Sequence, residues 1–209
     1  MAVDLPTLLA PRRCALLMME CQEGVIGTSG LGDLPDAVRR HGVVDNIAHL
    51  LAGARAARVP VFHLLAARRP DHGGSSANCR LFARGRKVEP LVDGSPRQRP
   101  VAALAPHPDD YVVTRFHGVS PFHGTELDSL LRNLGVQTVV ATGVSVNVAL
   151  LGLSIEAVNF GYQVVLPRDA VAGVPDDYVD AVFRHTLALL ATECRSDAVA
   201  AAWSSGRAT

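Results

Sequence analysis

Two charged residues and one tight turn in this sequence are suited to catalysis, and each comes at the end of an apolar run. Glu20 follows the run 14–19, Arg115 follows the run 111–114, and the segment 142–150 turns from a further apolar run into a helical pattern. If these runs are parallel strands, their carboxyl ends meet at one edge of the sheet. At that edge the carboxylate would be able to transfer a proton. The guanidinium and the backbone N–H groups would be able to stabilise developing negative charge.

The rest of the chain predicts the sheet that would position these groups. Apolar runs of strand length alternate with longer stretches of helical periodicity, which is typical of an α/β fold. The predicted strands are 14–19, 61–65, 111–114, 138–141, 163–166 and a short one near Cys194. The predicted helices are one from Val43 to just before Val59, then 125–134 capped by Thr125, 146–160, one starting at Pro175, and 197–203 capped by Ser196. We therefore expect a three-layer α/β/α sandwich with a mainly parallel sheet of about six strands.

Composition and charge narrow the function classes. The chain has 209 residues, 48% of them hydrophobic, which suits one domain over residues 1–209. Twenty basic residues balance twenty acidic ones, so nothing favours nucleic acid or a membrane surface as a partner. No apolar run suggests a leader peptide or a transmembrane helix, and four cysteines without CxxC spacing favour reduced thiols in a cytoplasmic protein.

The segment 68–110 is longer and richer in Pro, Gly and Ser than a simple connection, and it carries an excess of arginines. Loops of this length are often functional. Two interpretations are open for this long basic loop. It is either a solvated surface excursion, or a lid or subunit contact that presents arginines to a carboxylate-bearing substrate.

Three segments resemble motifs of the isochorismatase-like cysteine hydrolases. The first is Ala15-Leu16-Leu17-Met18-Met19-Glu20-Cys21-Gln22, and the second is Tyr111 to Leu127 with its Phe122-His123-Gly124-Thr125 run. The third is Thr142-Gly143-Val144-Ser145-Val146-Asn147-Val148-Ala149-Leu150. In that family an aspartate, a lysine and a nucleophilic cysteine form the catalytic triad. The matching positions here hold Glu20, Arg115 and Ala149, so all three differ. The resemblance implies the fold and a small-molecule hydrolase. Because a methyl group cannot attack a carbonyl, we expect no thiol chemistry.

The resemblance also implies which other residues form the site. A cis peptide bond between Val144 and Ser145 would arrange the backbone N–H groups of the turn. The residues expected to contact substrate are Val144, Ser145, Val148, His117 and Phe122. The same resemblance implies a homo-oligomer that needs no cofactor. Asp71-His72 does not reproduce the ligand spacing of the metal-binding members, so we expect no metal.

The substituted triad leaves several functions open. One branch of the family, the isochorismatases, also lacks the cysteine and uses a carboxylic acid to protonate an enol ether. Glu20 would take that role if Leu16 and Met18 gave it an apolar surround, and Arg115 would hold a substrate carboxylate bidentately. The alternative is that Glu20 and Arg115 form an ion pair that fills an inactive pocket. The chain would then be a non-catalytic ligand-binding or assembly protein.

A nucleotide-binding α/β domain is a third alternative. Four glycines follow the first predicted strand, which is where such domains bind phosphates. They do not form the GxGxxG pattern, and no helix is predicted directly behind them; they are Gly24, Gly27, Gly30 and Gly32.

Other reactive side chains have weaker claims to a catalytic role. Cys21 adjoins Glu20 but is expected to face the other side of the strand, so it should not replace the missing nucleophile. His117 and His123 follow Arg115 near the predicted mouth of the site, and each is either a ligand contact or a surface histidine. His63, in the second predicted strand, is expected to lie in the core.

Overall fold

A computed structural model of the chain describes residues 4–30 and 32–205, so both ends of the domain predicted over 1–209 lie outside the described residues. The strands in these ranges are β1 (Cys14–Met19), β2 (Val61–Ala66), β3 (Tyr111–Arg115), β4 (Thr138–Val144), β5 (Gln163–Pro167), β6 (Val171–Ala172) and β7 (Thr192–Cys194). Every strand predicted from the sequence is confirmed. The two-residue β6 was not predicted.

The strands form one parallel sheet in the order β3-β2-β1-β4-β5-β7, with β6 paired to the end of β4. The chain runs from β1 outward to β3 on one side, then returns to the centre with β4 and continues outward on the other side. Open sheets of this kind bind ligands where the direction of winding reverses, in the crevice at the carboxyl ends of the two central strands. In this chain that crevice lies at the ends of β1 and β4.

Helices cover the sheet. They are α1 (Leu5–Leu8), α2 (Glu23–Ile26), α3 (Leu34–Arg40), α4 (Val43–Ala57), α5 (Arg80–Gly85), α6 (Leu127–Asn133), α7 (Leu151–Asn159), α8 (Asp176–His185) and α9 (Ser196–Ser205). The periodic apolar residues of α4, such as Ile47, Leu50 and Ala54, are all buried, as their spacing predicts. The α/β sandwich predicted from the sequence is therefore confirmed.

Several helix details differ from the predictions. The helix predicted from Thr125 begins at Leu127, because the Thr125 hydroxyl accepts a hydrogen bond from Leu127 N and forms a turn ahead of the helix. The helix predicted over 146–160 starts with a wider π-helical turn over Val146–Leu150, followed by α7. The last helix includes Ser196 as its first residue instead of using it only as a cap.

Two apolar cores lie on opposite faces of the sheet. The first includes Leu16, Met18 and Cys21 and is covered by α4 and α9. The second includes Leu17, Met19 and Ala149 and is covered by α6, α7 and α8. Alternate residues of β1 therefore face different cores, as strand geometry requires.

The long segment 68–110 is ordered by contacts with the ends of β1 and β2. It contains α5 and a single 3₁₀ turn at Ala102–Leu104. Gln22, fully buried just after β1, donates to the carbonyls of Ala66 and Gln98 and accepts from Ala66 N, with 2.8 Å for each of the three hydrogen bonds. Gln22 therefore attaches this segment to the edge of the sheet where the predicted site lies.

None of the helices in residues 4–30 and 32–205 combines the length and the apolar character that crossing a bilayer needs.

Candidate functional site

Glu20 turns the chain immediately after β1. Its backbone lies in the left-handed region, with φ of 52°, and its N–H donates to Leu64 O at 2.9 Å. Leu16, Met18 and Cys21 pack together in the core covered by α4 and α9. The apolar surround predicted for Glu20 from Leu16 and Met18 stays a prediction.

Arg115, the last residue of β3, forms an ion pair with Glu20. Its Nη2 donates to Oε1 of Glu20, and its Nε donates to Gly118 O at 3.0 Å. The side chain of Arg115 is 6% exposed and that of Glu20 is 18% exposed. Within residues 4–30 and 32–205, Nη1 of Arg115 is buried and has no hydrogen-bond partner. The pair therefore retains one buried, unused donor group.

The turn after β4 has the geometry that the sequence predicted. The peptide bond between Val144 and Ser145 is cis, and Leu150 N donates to Ser145 O at 3.0 Å across the π-helical turn. Val144 is fully buried, whereas Ser145 and Val148 are partly exposed. Ala149 is 4% exposed and contributes its methyl group to the same core as Met19.

Gly143 allows this turn to approach β1. It pairs with Met19 in the sheet, and its φ is 96°, which glycine adopts without strain. A Cβ at this position would lie 2.2 Å from Met19 O and 3.0 Å from Cys21 Sγ. The absence of a side chain at Gly143 therefore brings the turn against the strand that carries Glu20.

Cys21 is unsuited to act as a nucleophile. It is 2% exposed, it packs in the core covered by α4 and α9, and its thiol donates to Met19 O at 3.7 Å. Burial, together with the charge of Glu20, raises the pKa of this thiol to about 12. A thiol in this environment stays protonated and has no access to substrate.

The two remaining residues predicted to contact substrate, His117 and Phe122, are buried to different extents. His117 is partly buried, its ring lies 4.7 Å from that of Phe82, and its Nδ1 has no partner among the described residues. Phe122 is buried in the core against Phe160 and Tyr162, with ring centroids 5.4 and 5.9 Å away. Its role as a substrate contact stays a prediction, and the structure gives it a packing role.

His123 and His63, the other two histidines considered from the sequence, lie in different environments. His123 is exposed. His63 is 1% exposed, as expected of a core residue, and its Nε2 lies 3.0 Å from Oδ2 of Asp110 at the opposite edge of the sheet. His63 therefore belongs to a structural pair rather than to the predicted site.

Sequence reasoning missed two residues that border the site. Gln22 holds the segment 68–110 in place, and the only signal for it was its position after Glu20 in the family motif. Arg68, two residues after β2, donates through Nη1 to Phe116 O at 3.1 Å. It was one of several arginines in a basic segment, and the sequence did not distinguish it from its neighbour Arg69.

Two surface cavities of about 420 Å³ each lie away from these groups. One is lined mainly by Asn46, Asp169 and residues of β6 and α8, and the other by Arg55, Arg58 and the start of β2 and β3. Neither is lined by Glu20, Arg115 or Ala149. In the described ranges, no three His, Cys, Asp or Glu side chains are grouped so that they could hold a metal ion.

Comparison with known proteins agrees with this arrangement. The solved structure of a cysteine hydrolase from Pseudomonas syringae pv. phaseolicola superimposes with a TM-score of 0.80, 25% identity and 94% of each chain covered. A maleamate amidohydrolase from Pseudomonas putida is 29% identical over 161 residues, which span 77% of this chain and 72% of that protein. A ureidoacrylate amidohydrolase from Methylorubrum extorquens is 29% identical over 185 residues, with 77% and 71% covered.

The family model described as an isochorismatase domain matches residues 14–197, from the first residue of β1 to the first turn of α9. This range contains the whole sheet and every group of the candidate site. By its sequence and its fold, the chain belongs to the isochorismatase family.

Proposed function

We propose that this chain is a hydrolase of a small, carboxylate-bearing molecule, and that Glu20 supplies the acid/base chemistry without a cysteine nucleophile. The observation that carries the proposal is the ion pair of Glu20 and Arg115 at the carboxyl edge of the sheet. In this proposal the carboxylate and the cation take the places of the family's aspartate and lysine, and Ala149 takes the place of the nucleophilic cysteine.

The proposed chemistry needs a water molecule as the nucleophile. Glu20 accepts a proton from water as the water oxygen bonds to the electrophilic carbon of the substrate. The bond from that carbon to the leaving group then breaks, and Glu20 returns the proton to the leaving group. For an enol ether, the carboxylic acid form of Glu20 gives its proton to the vinyl carbon. Glu20 then takes a proton from the water that adds to the oxocarbenium carbon, and returns it to the leaving oxygen as the C–O bond of the hemiketal breaks. A carboxylate in this role contributes roughly 10²- to 10⁴-fold to the rate.

Charge stabilisation comes from two sources in this proposal. Arg115 stays close to the negative charge that passes between Glu20 and the reacting group. The backbone of the turn from Val144 through Ser145 to Ala149 offers N–H groups to an oxyanion or a substrate carboxylate, apart from that of Val148, which donates to Ser145 O at 3.3 Å. Preorganised donors of this kind act without further rearrangement, because the fold holds them in place before substrate arrives.

Two observations support a carboxylate-bearing substrate. Arg115 retains a buried Nη1 donor without a partner among the described residues, and guanidinium groups match carboxylates geometrically. The relatives named above are amidohydrolases of maleamate and ureidoacrylate, both of which are small carboxylates. We further propose, on the family resemblance and the neutral net charge, a cytoplasmic homo-oligomer with no nucleic-acid partner, no cofactor and no metal.

A non-catalytic ligand-binding or assembly protein is the second candidate. The observation that favours it is that Glu20 and Arg115 already neutralise each other, while Ala149 has only a methyl group, which cannot act as a nucleophile. Such a pair would stabilise an empty site as readily as it would serve catalysis.

Turnover measurements on wild type and Glu20→Gln separate the two candidates. Amides, esters and enol ethers of small carboxylic acids are incubated with each protein, with Glu126→Gln as the control because Glu126 is exposed at the start of α6. The hydrolase proposal requires turnover by wild type and by the control, and its loss in Glu20→Gln. Binding of these compounds without turnover by any of the proteins supports the non-catalytic candidate instead.

A further inference from the structure

A second arginine lies beside the ion pair of Glu20 and Arg115. Arg68 follows Ala67, whose N–H donates to Arg115 O at 2.9 Å, so Arg68 begins next to the end of β3. Its Nη1 donates to Ala67 O at 2.6 Å and to Phe116 O at 3.1 Å. These two bonds hold the guanidinium against the backbone at the ends of β2 and β3.

The environment of Arg68 differs from that of its neighbour. Burial, and then the charge of Arg115, lower the pKa of Arg68, while Glu20 opposes this shift. Arg68 is therefore within electrostatic reach of both members of the ion pair. Arg69 instead forms an exposed pair with Asp71, its side chain 63% exposed.

The charges of these three side chains do not balance. Arg115 forms the ion pair with Glu20, whereas Arg68 has no carboxylate within ion-pair distance among residues 4–30 and 32–205. A partly buried cation without a counter-charge is unfavourable, so an anion entering the site would be attracted more strongly than a neutral molecule of the same shape. The arrangement therefore favours an anionic ligand.

The two arginines also retain donors for such an anion. Nη1 of Arg115 is buried without a partner, and both hydrogen bonds of Arg68 come from its Nη1, as far as residues 4–30 and 32–205 show. Nε and Nη2 of Arg68 thus form a free edge of the guanidinium. An edge of this kind binds a carboxylate through two parallel N–H···O bonds.

An aromatic side chain lies beside Arg68. The guanidinium carbon of Arg68 lies 5.8 Å from the ring centroid of Phe82 in α5, and the Phe82 ring lies 4.7 Å from that of His117. Arg68 and Phe82 both belong to the segment 68–110. This segment therefore places a cation and an apolar surface next to the ion pair.

We propose that Arg68 and Arg115 together bind the carboxylate of the ligand, and that Arg68 is a specificity residue that selects anions over neutral isosteres. The proposal rests on the proposed function for the identity of the site, and adds a residue and a charge class to it. It also gives the segment 68–110 a function. Gln22 holds this segment in place, and the hydrogen bonds of the Arg68 guanidinium to the carbonyls of Ala67 and Phe116 hold the cation.

The test compares the binding of benzoate and benzamide, which have the same shape and differ in charge. Dissociation constants are measured by calorimetry for wild type, Arg68→Gln and the matched control Arg69→Gln. We expect wild type and Arg69→Gln to prefer benzoate, and Arg68→Gln to bind benzoate about tenfold more weakly with benzamide unchanged. The benzoate preference of wild type should also decrease as salt concentration rises.

Equal affinity for benzoate and benzamide in wild type, or an unchanged benzoate constant in Arg68→Gln, would overturn the proposal. Arg68→Lys covers the case in which Arg68→Gln does not fold, because lysine keeps the charge and loses the paired donors; it should retain part of the preference. No step of this test needs turnover. A chain without hydrolase activity but with the Arg68-dependent preference would therefore refute the proposed function and leave this inference intact.

Discussion

Arg115 reaches across β2 to bind the carboxylate of Glu20, although their strands β3 and β1 are not neighbours in the sheet. Adjacent strands are about 4.8 Å apart, so two spacings separate their backbones by roughly 10 Å. A longer carboxylate side chain and a broad guanidinium suit that span. The two side chains together therefore bridge the width of β2.

The contacts of Gln22 predict a large loss of stability when its side chain is removed. Gln22→Ala would leave the polar groups of Ala66 and Gln98 buried without their partners, at a cost of about 3 kcal/mol in the free energy of unfolding. Urea denaturation measures this cost, with the exposed Gln137→Ala as the control. Equal effects of the two substitutions would show that Gln22 does not anchor the segment 68–110.

The thiols are predicted to be dispensable. Burial raises the pKa of Cys14 to about 11 and is the main cause that raises the pKa values of Cys21 and Cys194 to about 12, whereas Cys79 is exposed. Iodoacetamide at pH 7.5 should therefore modify native protein mainly at Cys79, as mass spectrometry would show, and turnover should be unchanged. In denaturant all four cysteines should react. Inactivation that accompanies modification of Cys21 would contradict the thiol-independent proposal.

The burial of His63 leads us to expect that the protein loses stability in mild acid. Burial lowers its pKa despite the adjacent Asp110, so the folded protein keeps the imidazole neutral at a pH where the unfolded chain, with a pKa of about 6.5, takes up a proton. The free energy of unfolding should thus decrease as the pH falls from about 7.5 to about 5.

Urea denaturation across this pH range checks the His63 prediction. His63→Gln should reduce the slope of stability against pH, and His49→Gln, at an exposed position of α4, should leave it unchanged. The prediction is wrong if the two variants have the same slope.

The close contact of Gly143 with β1 predicts that it does not tolerate a side chain. Gly143→Ala would place a Cβ 2.2 Å from Met19 O in addition to its left-handed strain, and should cost about 3 kcal/mol or more. Gly161→Ala is the matched control, since Gly161 has a similar φ of 87° and nothing within 4 Å of the added atom. It should cost about 1 kcal/mol in the same thermal or urea denaturation. Similar costs for both variants would mean that Met19 gives way.

The elements of the fold were predictable because each depends on a local pattern. The buried strands are continuous apolar runs, and the start of β4 at Thr138 was predicted although its last three residues were not. The two-residue β6 has no pattern of its own and exists only through its pairing with β4. The left-handed backbone of Glu20 was also beyond sequence reasoning, because residues other than glycine seldom adopt it.

The partners of the site residues depended on distant parts of the chain. The sequence predicted that Glu20 and Arg115 meet at one sheet edge, because both end parallel strands. It did not predict the position of the Arg68 side chain, since this depends on hydrogen bonds to Ala67 and Phe116 that no local pattern encodes.

The turnover number of Glu20→Gln tests the central claim most directly. On a carboxylate-bearing substrate that wild type hydrolyses, kcat should fall at least about 10²-fold in Glu20→Gln, because an amide cannot carry the proton. Glu20→Asp should retain part of the activity, and the exposed control Glu126→Gln should retain all of it. A kcat for Glu20→Gln equal to that of wild type would contradict the account, since the reaction would then proceed without this carboxylate.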